Sequence, residues 1–373
     1  GLIRINSTIQ QFSPAQPWER TTPRRRRGLG AVLPDQRVLT TAEMIADAKY
    51  IELESADGTR TTPAKLLAID YEANLALITP ADGAKPGWVA DIEPLQTNGP
   101  VKIGDGVHIW QLEDNGTAMR TSGLIRSVDL LSTFIPGNFF LSDEVKASMQ
   151  SASSSYTLPV TLGDKLLGIL TSYNSKDQIS DVIAPEIISL FLEDVAEGDY
   201  TGFPSLGVST VLTEDPQFRQ FLGLTDAQGG IYLSRVLPGS AADQAGFKKE
   251  DVILAIDGNT IDRRGYYEDP QYGRLFWSNL IRGKKKVGEV IEVAILREGK
   301  PLTLKATLQR AVDRLIPNHI HDQPPAYLIK GGLVFQELSE AYLAAFGKDW
   351  ETRAPLNLLD ALRNLSLIHI SEP

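Results

Sequence analysis

The sequence predicts a mainly β protein made of two β-barrels followed by smaller β-rich units. Over residues 1–180, short apolar runs alternate with turns rich in Gly, Pro, Asp and Asn. About six short strands fall in each half of this region, which is typical of two packed barrels. Gly- and Pro-rich segments near residues 198–208 and 317–325 then separate further units. A chain of 373 residues is long enough for two or three such domains.

Composition excludes several classes of function. The chain is 42% hydrophobic and 23% charged, and it contains no apolar run near the roughly 18 residues of a membrane-spanning helix. A net charge of -10 opposes nucleic-acid binding, and the basic cluster from Arg24 to Arg27 is short. The absence of cysteine excludes disulfides, thiol nucleophiles and Cys-ligated zinc. We therefore predict no nucleic-acid partner, no transmembrane segment and no cofactor or metal.

The first domain is predicted to span residues 1–197. Strands are predicted at residues 28–33, 37–41, 50–54, 64–69, 75–78, 106–110, 117–128, 159–160 and 166–170. Residues 181–197 change to a helical period, because Ile183, Ile187 and Phe191 fall on one face and Pro185 lies near the first turn. This helix is expected to close the domain.

A second domain is predicted at residues 198–310, with a linker at 311–330 and a partial third unit at 331–373. Its expected elements are strands at 230–236, 251–258, 290–296 and 302–308, and helices at 241–245 and 273–282. The last nine residues, 365–373, resemble a translated sequencing adaptor, and we expect them to be artefactual. The first residues already read as a strand, so we also expect that a targeting segment was removed or that the true start is missing.

Several segments carry a family resemblance. Residues 38–48 (VLTTAEMIADA) are similar to the segment V-L-T-N-A-H-V-V-A-D-A, and residues 71–78 (YEANLALI) resemble a D-L-A-L segment. Residues 157–169 resemble the end of G-N-S-G-G-P-V and the strand after it. These are motifs of the HtrA/Deg family, trypsin-like double β-barrels followed by PDZ domains. Residues 200–208, 251–258 and 317–325 are especially similar to its plant-type branch with two PDZ domains, so the resemblance covers nearly the whole chain.

The resemblance implies a degenerate catalytic triad. Glu43 stands at the family's histidine position, Asn74 at its aspartate position and Tyr156 at its serine position. Glu43 lacks the imidazole that accepts the serine proton, and Asn74 lacks the carboxylate that orients that imidazole. Thr157 and Leu158 replace two glycines that help to form the oxyanion hole. We therefore predict no catalytic residues and a protein that is not an enzyme, a pseudoprotease.

The residues of this site also allow other interpretations. A shift of one residue would place Ser155 near the serine position, so an unusual hydrolase or serine-type endopeptidase using Tyr156 or a neighbouring serine is an alternative. Glu43 and Tyr156 are alternatively a hydrogen-bonded pair that fills the site. His108 is expected to pack on a strand, and His319 and His321 to pack or face solvent in the linker rather than bind zinc.

A second candidate site lies in the PDZ-like unit. Gly229 and Gly230 resemble the loop that binds a chain-terminal carboxylate, and the following residues 231–235 would offer a free strand edge to a peptide. The side chains expected to line the peptide pocket are Ile231, Leu233, Phe276 and Leu280.

These observations lead to one main hypothesis of function. The protein is predicted to bind peptides or protein C-termini as a scaffold, chaperone-like or regulatory subunit. The resemblance implies assembly in multiples of three, as a homo-oligomer or together with an active relative. It places the protein in the periplasm or cell envelope, with an organelle as the alternative. A further alternative is a structural component of a cell-envelope complex.

Overall fold

The computed structural model describes residues 1–81, 87–113, 115–132, 134–150, 155–312, 316–317 and 320–364. Its order along the chain is barrel, barrel, helix, PDZ unit, linker and a last small unit. The predicted fold class is confirmed, because two barrels of six strands each precede the PDZ units. Within the described residues, no helix is long and apolar enough to span a membrane.

The first barrel closes in the strand order β1-β2-β3-β6-β5-β4. Its strands are β1 (Leu2–Ile9), β2 (Arg24–Val32), β3 (Val38–Thr40), β4 (Ala48–Glu54), β5 (Thr61–Asp70) and β6 (Leu75–Pro80). Alternate residues point inward, so Ile3, Ile5, Leu53 and Ile78 are fully buried. The short helix α1 (Ala42–Ile45) follows β3 and adds the buried Met44 to this core.

The second barrel closes in the order β10-β11-β12-β9-β8-β7. Its strands are β7 (Gly106–Leu112), β8 (Ala118–Ser132), β9 (Phe139–Lys146), β10 (Leu158–Leu162), β11 (Lys165–Asn174) and β12 (Ile179–Ile183). Gly168 is required here, since a Cβ would lie 2.2 Å from the Ile183 carbonyl oxygen. Helix α2 (Pro185–Glu197) starts at the predicted proline, buries Ile187 and Phe191, and ends the barrel region.

The PDZ unit that follows is built on the sheet β14-β15-β16-β20-β21. Its strands are β13 (Pro204–Ser205), β14 (Val208–Leu212), β15 (Ile231–Val236), β16 (Val252–Ile256), β17 (Asn259–Thr260), β18 (Tyr266–Asp269), β19 (Gly273–Phe276), β20 (Val290–Arg297), β21 (Lys300–Thr307) and β22 (Gln309–Arg310). Its helices are α3 (Pro216–Phe221), α4 (Ala241–Gln244) and α5 (Asn279–Arg282). The predicted helix 273–282 is wrong in its first half, because Gly273–Phe276 pairs with Tyr266–Asp269 as a hairpin.

The last described unit is small. It contains the hairpin β23 (Tyr327–Lys330) and β24 (Leu333–Gln336) and the helices α6 (Glu340–Ala344), α7 (Trp350–Arg353) and α8 (Leu356–Asn364). The helices bury Leu343 and Leu359, whereas the hairpin leaves its apolar side chains exposed. The segment 365–373, expected to be artefactual, lies outside the described residues.

Candidate functional site

The first barrel contributes two of the predicted positions to the cleft between the barrels. Thr41 caps α1 by accepting a hydrogen bond from the Met44 N–H at 3.3 Å, and this places Glu43 exposed in the first turn. Asn74 has a φ of 56°, a left-handed conformation that Asn adopts more readily than most residues. Its Oδ1 accepts the Glu43 N–H at 2.9 Å, so Asn74 fixes the helix that carries Glu43.

The second barrel contributes the third position through the loop before β10. The hydroxyl groups of Thr157 and Thr41 lie 2.9 Å apart, and the Leu29 N–H donates to the Thr157 carbonyl at 3.1 Å. Tyr156 is therefore held beside the N-terminus of α1. The structure thus brings Glu43, Asn74 and Tyr156 into one region, where the two barrels meet.

The hypothesis of a hydrogen-bonded pair between Glu43 and Tyr156 is wrong. The hydrogen bonds of the described residues include none between them. The ring of Tyr156 instead lies against Tyr173, with 6.1 Å between ring centroids, and the Tyr173 hydroxyl accepts the Met149 N–H at 3.2 Å. Tyr156 turns toward this neighbour because an aromatic ring gains more from packing than from reaching an exposed carboxylate.

Ser155 is the serine that the described residues place in the cleft. Its Oγ accepts the Thr157 N–H at 2.9 Å. A Cβ on Gly28 would come within 3.3 Å of this oxygen, so Ser155 lies against strand β2 of the first barrel. The neighbouring residues 151–154 lie outside the described part of the chain.

The described histidines lie elsewhere. His108 is on β7, with Nδ1 3.4 Å from the Ser122 hydroxyl on β8. His321, in the linker after the PDZ unit, stacks on Tyr71 at 4.8 Å and on Phe134 at 5.1 Å between ring centroids. His108 thus makes a polar contact on a strand, and the ring of His321 packs between two aromatic rings. His319 and His369 lie outside the described residues.

His321 belongs to a polar contact that ties the linker to the first barrel. Its Nδ1 lies 3.3 Å from Asp47 Oδ2, and Asp47 and Asp322 each accept the other's main-chain N–H at 2.9 Å. Burial acts to raise the pKa of Asp47, but hydrogen bonds from His321, the Asp322 N–H and Gln11 together lower it to about 2. In the part of the chain that is described, no cluster of three or more His, Asp or Glu side chains could hold a metal ion.

The peptide groove of the PDZ unit was predicted along residues 231–235, which the structure does not place at a sheet edge. β15, which begins at Ile231, pairs with β14 on one side and β16 on the other, so it has no free edge. Ile231 and Leu233 are fully buried, and Leu280 is 4% exposed. These three residues form the core of the unit. Phe276 is half-buried and packs edge-on against Tyr266 at 5.8 Å.

The two predicted carboxylate-binding glycines also serve packing. The Gly230 N–H donates to the Asp262 carbonyl at 3.3 Å. A Cβ on Gly229 would lie 2.1 Å from the Ile261 carbonyl oxygen, so only glycine fits there. The Gly230 N–H is therefore already bonded to a main-chain acceptor, and Gly229 is packed against Ile261.

A groove does exist one strand further out in the same sheet. β14 is an edge strand, and a cavity of about 60 Å³ separates its start from α5. The lining residues are Ser205, Leu206, Gly207, Val208, Trp277, Ser278, Ile281 and Arg282. Sequence reasoning treated residues 198–208 as a linker only. The signal it missed is the Leu206-Gly207 pair directly before an apolar strand, which is also a place where backbone can stay open to a ligand.

Arg282 connects this groove to the barrels. It forms an ion pair with Glu72, and its Nη1 donates to Asn138 Oδ1 at 3.1 Å. Its guanidinium also lies 4.3 Å from the centre of the Phe140 ring. Glu72 lies in the same turn as Asn74, so one arginine contacts both the groove and the turn that supports the barrel cleft.

Comparison with known proteins agrees with this architecture. The PDZ-domain family matches residues 204–308 and again residues 316–368. The chain is 26% identical to Protease Do-like 4, mitochondrial, of Arabidopsis thaliana, over 91% of this chain and 66% of that protein. It is 28% identical to Serine protease Do-like HtrA of Bacillus subtilis (strain 168), over 74% of this chain and 61% of that protein. The chain thus spans less than two thirds of the length of these relatives.

A solved structure of the HtrA-type protease AlgW with a decapeptide has the same fold. Its TM-score is 0.59 at 20% identity, covering 83% of this chain and 94% of that one. The fold and site therefore define a trypsin-like double barrel followed by PDZ domains. The fold, the PDZ matches and the named relatives support the HtrA/Deg family of trypsin-like proteases with PDZ domains.

One prediction is overturned by these comparisons. The sequence was interpreted as a protein that is not an enzyme, because the three triad positions carry Glu43, Asn74 and Tyr156. The relatives are named as proteases and serine proteases, which points to an enzyme.

Proposed function

We propose that the protein captures polypeptide C-termini in the PDZ groove between β14 and α5. The observation that carries this proposal is a cavity beside an edge strand, lined by apolar and polar residues. Leu206, Trp277 and Ile281 line the cavity, and its volume of about 60 Å³ suits one small aliphatic side chain. A peptide can add to the outer edge of β14 by main-chain hydrogen bonds while its last side chain enters the cavity.

Peptide binding by the whole chain tests this proposal. A fluorescent peptide that ends in a free valine carboxylate is expected to bind at least tenfold more tightly than the same peptide with a C-terminal amide, measured by fluorescence anisotropy. Ser278→Phe fills the cavity from a half-buried position and is expected to abolish this preference. Ser175→Phe, in an exposed turn of the second barrel, is the matched control. Equal binding of acid and amide by the wild type would contradict the proposal.

Serine-type endopeptidase activity of the barrel cleft is the second candidate function. Its support is the protease names of the relatives together with the position of Ser155 against Gly28. In this interpretation, the PDZ unit delivers the polypeptide and Ser155 Oγ attacks the peptide carbonyl carbon. The C–N bond breaks, the Ser155 proton passes to the leaving amine, and water then hydrolyses the ester on Ser155. A serine-reactive fluorophosphonate is then expected to label the wild type and Tyr156→Phe but not Ser155→Ala. Labelling that persists in Ser155→Ala, or casein that stays intact, would argue against hydrolysis at this residue.

Assembly and location extend the same proposal. The groove, a scaffold or chaperone-like role and assembly in multiples of three form one consistent hypothesis for a peptide-handling subunit. Relatives are named as periplasmic, mitochondrial and chloroplastic proteins. We place this protein in a cell envelope or an organelle. Light scattering of the purified chain measures the assembly, and a mass that is not a multiple of three protomers contradicts that part.

A further inference from the structure

A row of arginines leads away from the barrel cleft along strand β2. Arg24, Arg26 and Gly28 occupy alternate positions, so they lie on one face of the strand. At Gly28 a Cβ would lie 2.8 Å from Met44 Sδ and 3.3 Å from Ser155 Oγ, so this position touches the candidate site. With a rise of about 3.3 Å per residue, Arg26 and Arg24 follow at about 7 and 13 Å from it.

Within the described residues, the edge of β2 beside this row is not paired with a strand over residues 24–28. On one side β1 pairs with β2 along its whole length, from Arg24 to Ala31. On the other side β3 pairs only with Ala31 and Val32, and the Leu29 N–H bonds to the Thr157 carbonyl. In the described part of the chain, no strand pairs with residues 24–28 on that side. An extended polypeptide can therefore add to this edge, as peptides add to other exposed strand edges.

The carboxylates of Glu43 and Asp47 act on Arg26 from a distance, but the direct contacts of the row are to uncharged acceptors. Arg24 donates to the side-chain oxygen of Gln11 at 3.0 Å, and Arg26 donates to the main-chain oxygen of Glu43. Both acceptors are uncharged, and no ion pair joins either arginine to a carboxylate within the described residues. Arg27, on the opposite face, differs because it pairs with Glu54 at 3.6 Å. The two arginines therefore keep positive charge available at the mouth of the cleft of a protein whose net charge is -10.

We propose that Arg24 and Arg26 select polypeptides with acidic residues at alternate positions next to the segment held in the cleft. This inference rests on the second candidate function, hydrolysis at Ser155, in which polypeptide occupies the barrel cleft. An extended strand on this edge places every second side chain on the face that carries Arg24 and Arg26. Because each partly exposed cross-strand ion pair changes affinity by a few fold, two such pairs give about a tenfold preference, which salt screens.

Two peptides that differ only in charge test this selection on the full chain. Both are fluorescent, unstructured 12-residue peptides, with four Glu residues at alternate positions in one and four Lys residues in the other. Both carry a C-terminal amide, so capture of a terminal carboxylate by the PDZ groove does not contribute. In low salt the acidic peptide is expected to bind about tenfold more tightly, and in about 0.5 M salt the difference is expected to fall to about twofold.

Variants test whether the preference for the acidic peptide depends on Arg24 and Arg26 or on other charges of the protein. Arg24→Gln with Arg26→Gln retains side-chain hydrogen bonding and is expected to remove the preference. Arg120→Gln changes an exposed arginine on β8 of the other barrel and is expected to keep it. Equal affinity for both peptides, no binding of either peptide, or a preference that survives the double substitution overturns the inference. If the peptides with free carboxylates bind no better than their amides while the acidic preference remains, only the PDZ-groove proposal fails.

Discussion

Each barrel contacts the downstream chain through carboxyl groups, but these groups differ in their hydrogen-bond partners. The second barrel meets the PDZ unit at a seam, defined here as Asp143, Glu186, Tyr272 and Arg282. The first barrel meets the linker at a clasp, defined here as Asp47, Tyr71, His321 and Asp322. The seam buries carboxyl groups with few partners, whereas the carboxyl groups of the clasp are surrounded by donors.

This difference shows in the pKa values of the two contacts. Asp143 is 0% exposed, and neither of its oxygens has a hydrogen-bond partner among the described residues. Burial first, and then Glu186, raise its pKa well above the ordinary value. Asp47 in the clasp has a pKa lowered to about 2 by its hydrogen bonds. The seam is therefore expected to be stabilised by acid, and the clasp to be weakened by it.

The largest expected effect comes from removing Arg282. Arg282→Ala deletes the ion pair with Glu72, the hydrogen bond to Asn138 and the contact with Phe140, and it leaves part of a buried network without partners. We expect a loss of about 3 kcal/mol in the docking of the PDZ unit. Calorimetry is expected to show the single unfolding transition split into separate ones. Arg274→Ala, which breaks an exposed ion pair with Asp262 inside the PDZ unit, is the control and should leave one transition.

The next effect is the pH dependence of the seam. A carboxyl whose pKa is raised by folding adds stability below its unfolded pKa, near 4, and that stability is lost as the pH rises through the folded pKa. The wild-type melting temperature is therefore expected to fall between pH 5 and pH 8 more steeply than that of Asp143→Asn. At pH 8 the variant should be more stable by about 1 kcal/mol or more, because no charge is buried.

Asp164→Asn, in the exposed turn between β10 and β11, provides the comparison for this pH series. Its melting temperature is expected to follow the wild type at every pH. If Asp143→Asn also follows the wild type across this range, a raised pKa of Asp143 does not govern the stability of the seam, and the proposed contrast with the clasp is lost.

Much of the fold was predictable because it depends on local pattern. The strands of both barrels follow alternating apolar residues and turn glycines, and α2 begins at Pro185 as its sequence indicates. The pairing partners of a strand are not a local property. β15 is apolar whether or not it lies at an edge, so its sequence did not show that β14 covers it. The helix expected at 273–282 is shorter in the structure for the same reason. Its first residues pair with β18, and the local sequence does not show this pairing.

The candidate sites show the same limit. The resemblance in sequence assigned Glu43, Asn74 and Tyr156 to one site, and the structure brings the three residues together where the two barrels meet. The resemblance did not show that Tyr156 packs on Tyr173, nor that Ser155 lies against β2, because those contacts join segments far apart in the chain. The cavity beside β14 was not predicted because Leu206 and Gly207 resemble a linker in sequence, and only the fold shows that β14 and α5 flank them.

The smallest expected effect is at the clasp, and its sign is opposite to that of the seam. A carboxyl with a lowered folded pKa adds stability above its unfolded value, near 4, and loses it as the pH falls through the folded value, about 2 for Asp47. Acid is thus expected to release the linker from the first barrel while the seam stays closed.

Asp322→Ala should mimic this at neutral pH, because it removes the acceptor for the Asp47 N–H and for the Tyr71 hydroxyl, at a cost of about 1 kcal/mol. Hydrogen exchange would register faster exchange of the Asp47 and Asp322 amides with no change in the barrel strands, and Asp322→Asn, which keeps an acceptor, should show about half the effect. Unchanged exchange at Asp47 in Asp322→Ala would mean that the linker is held by the ring stack of Tyr71, His321 and Phe134 alone.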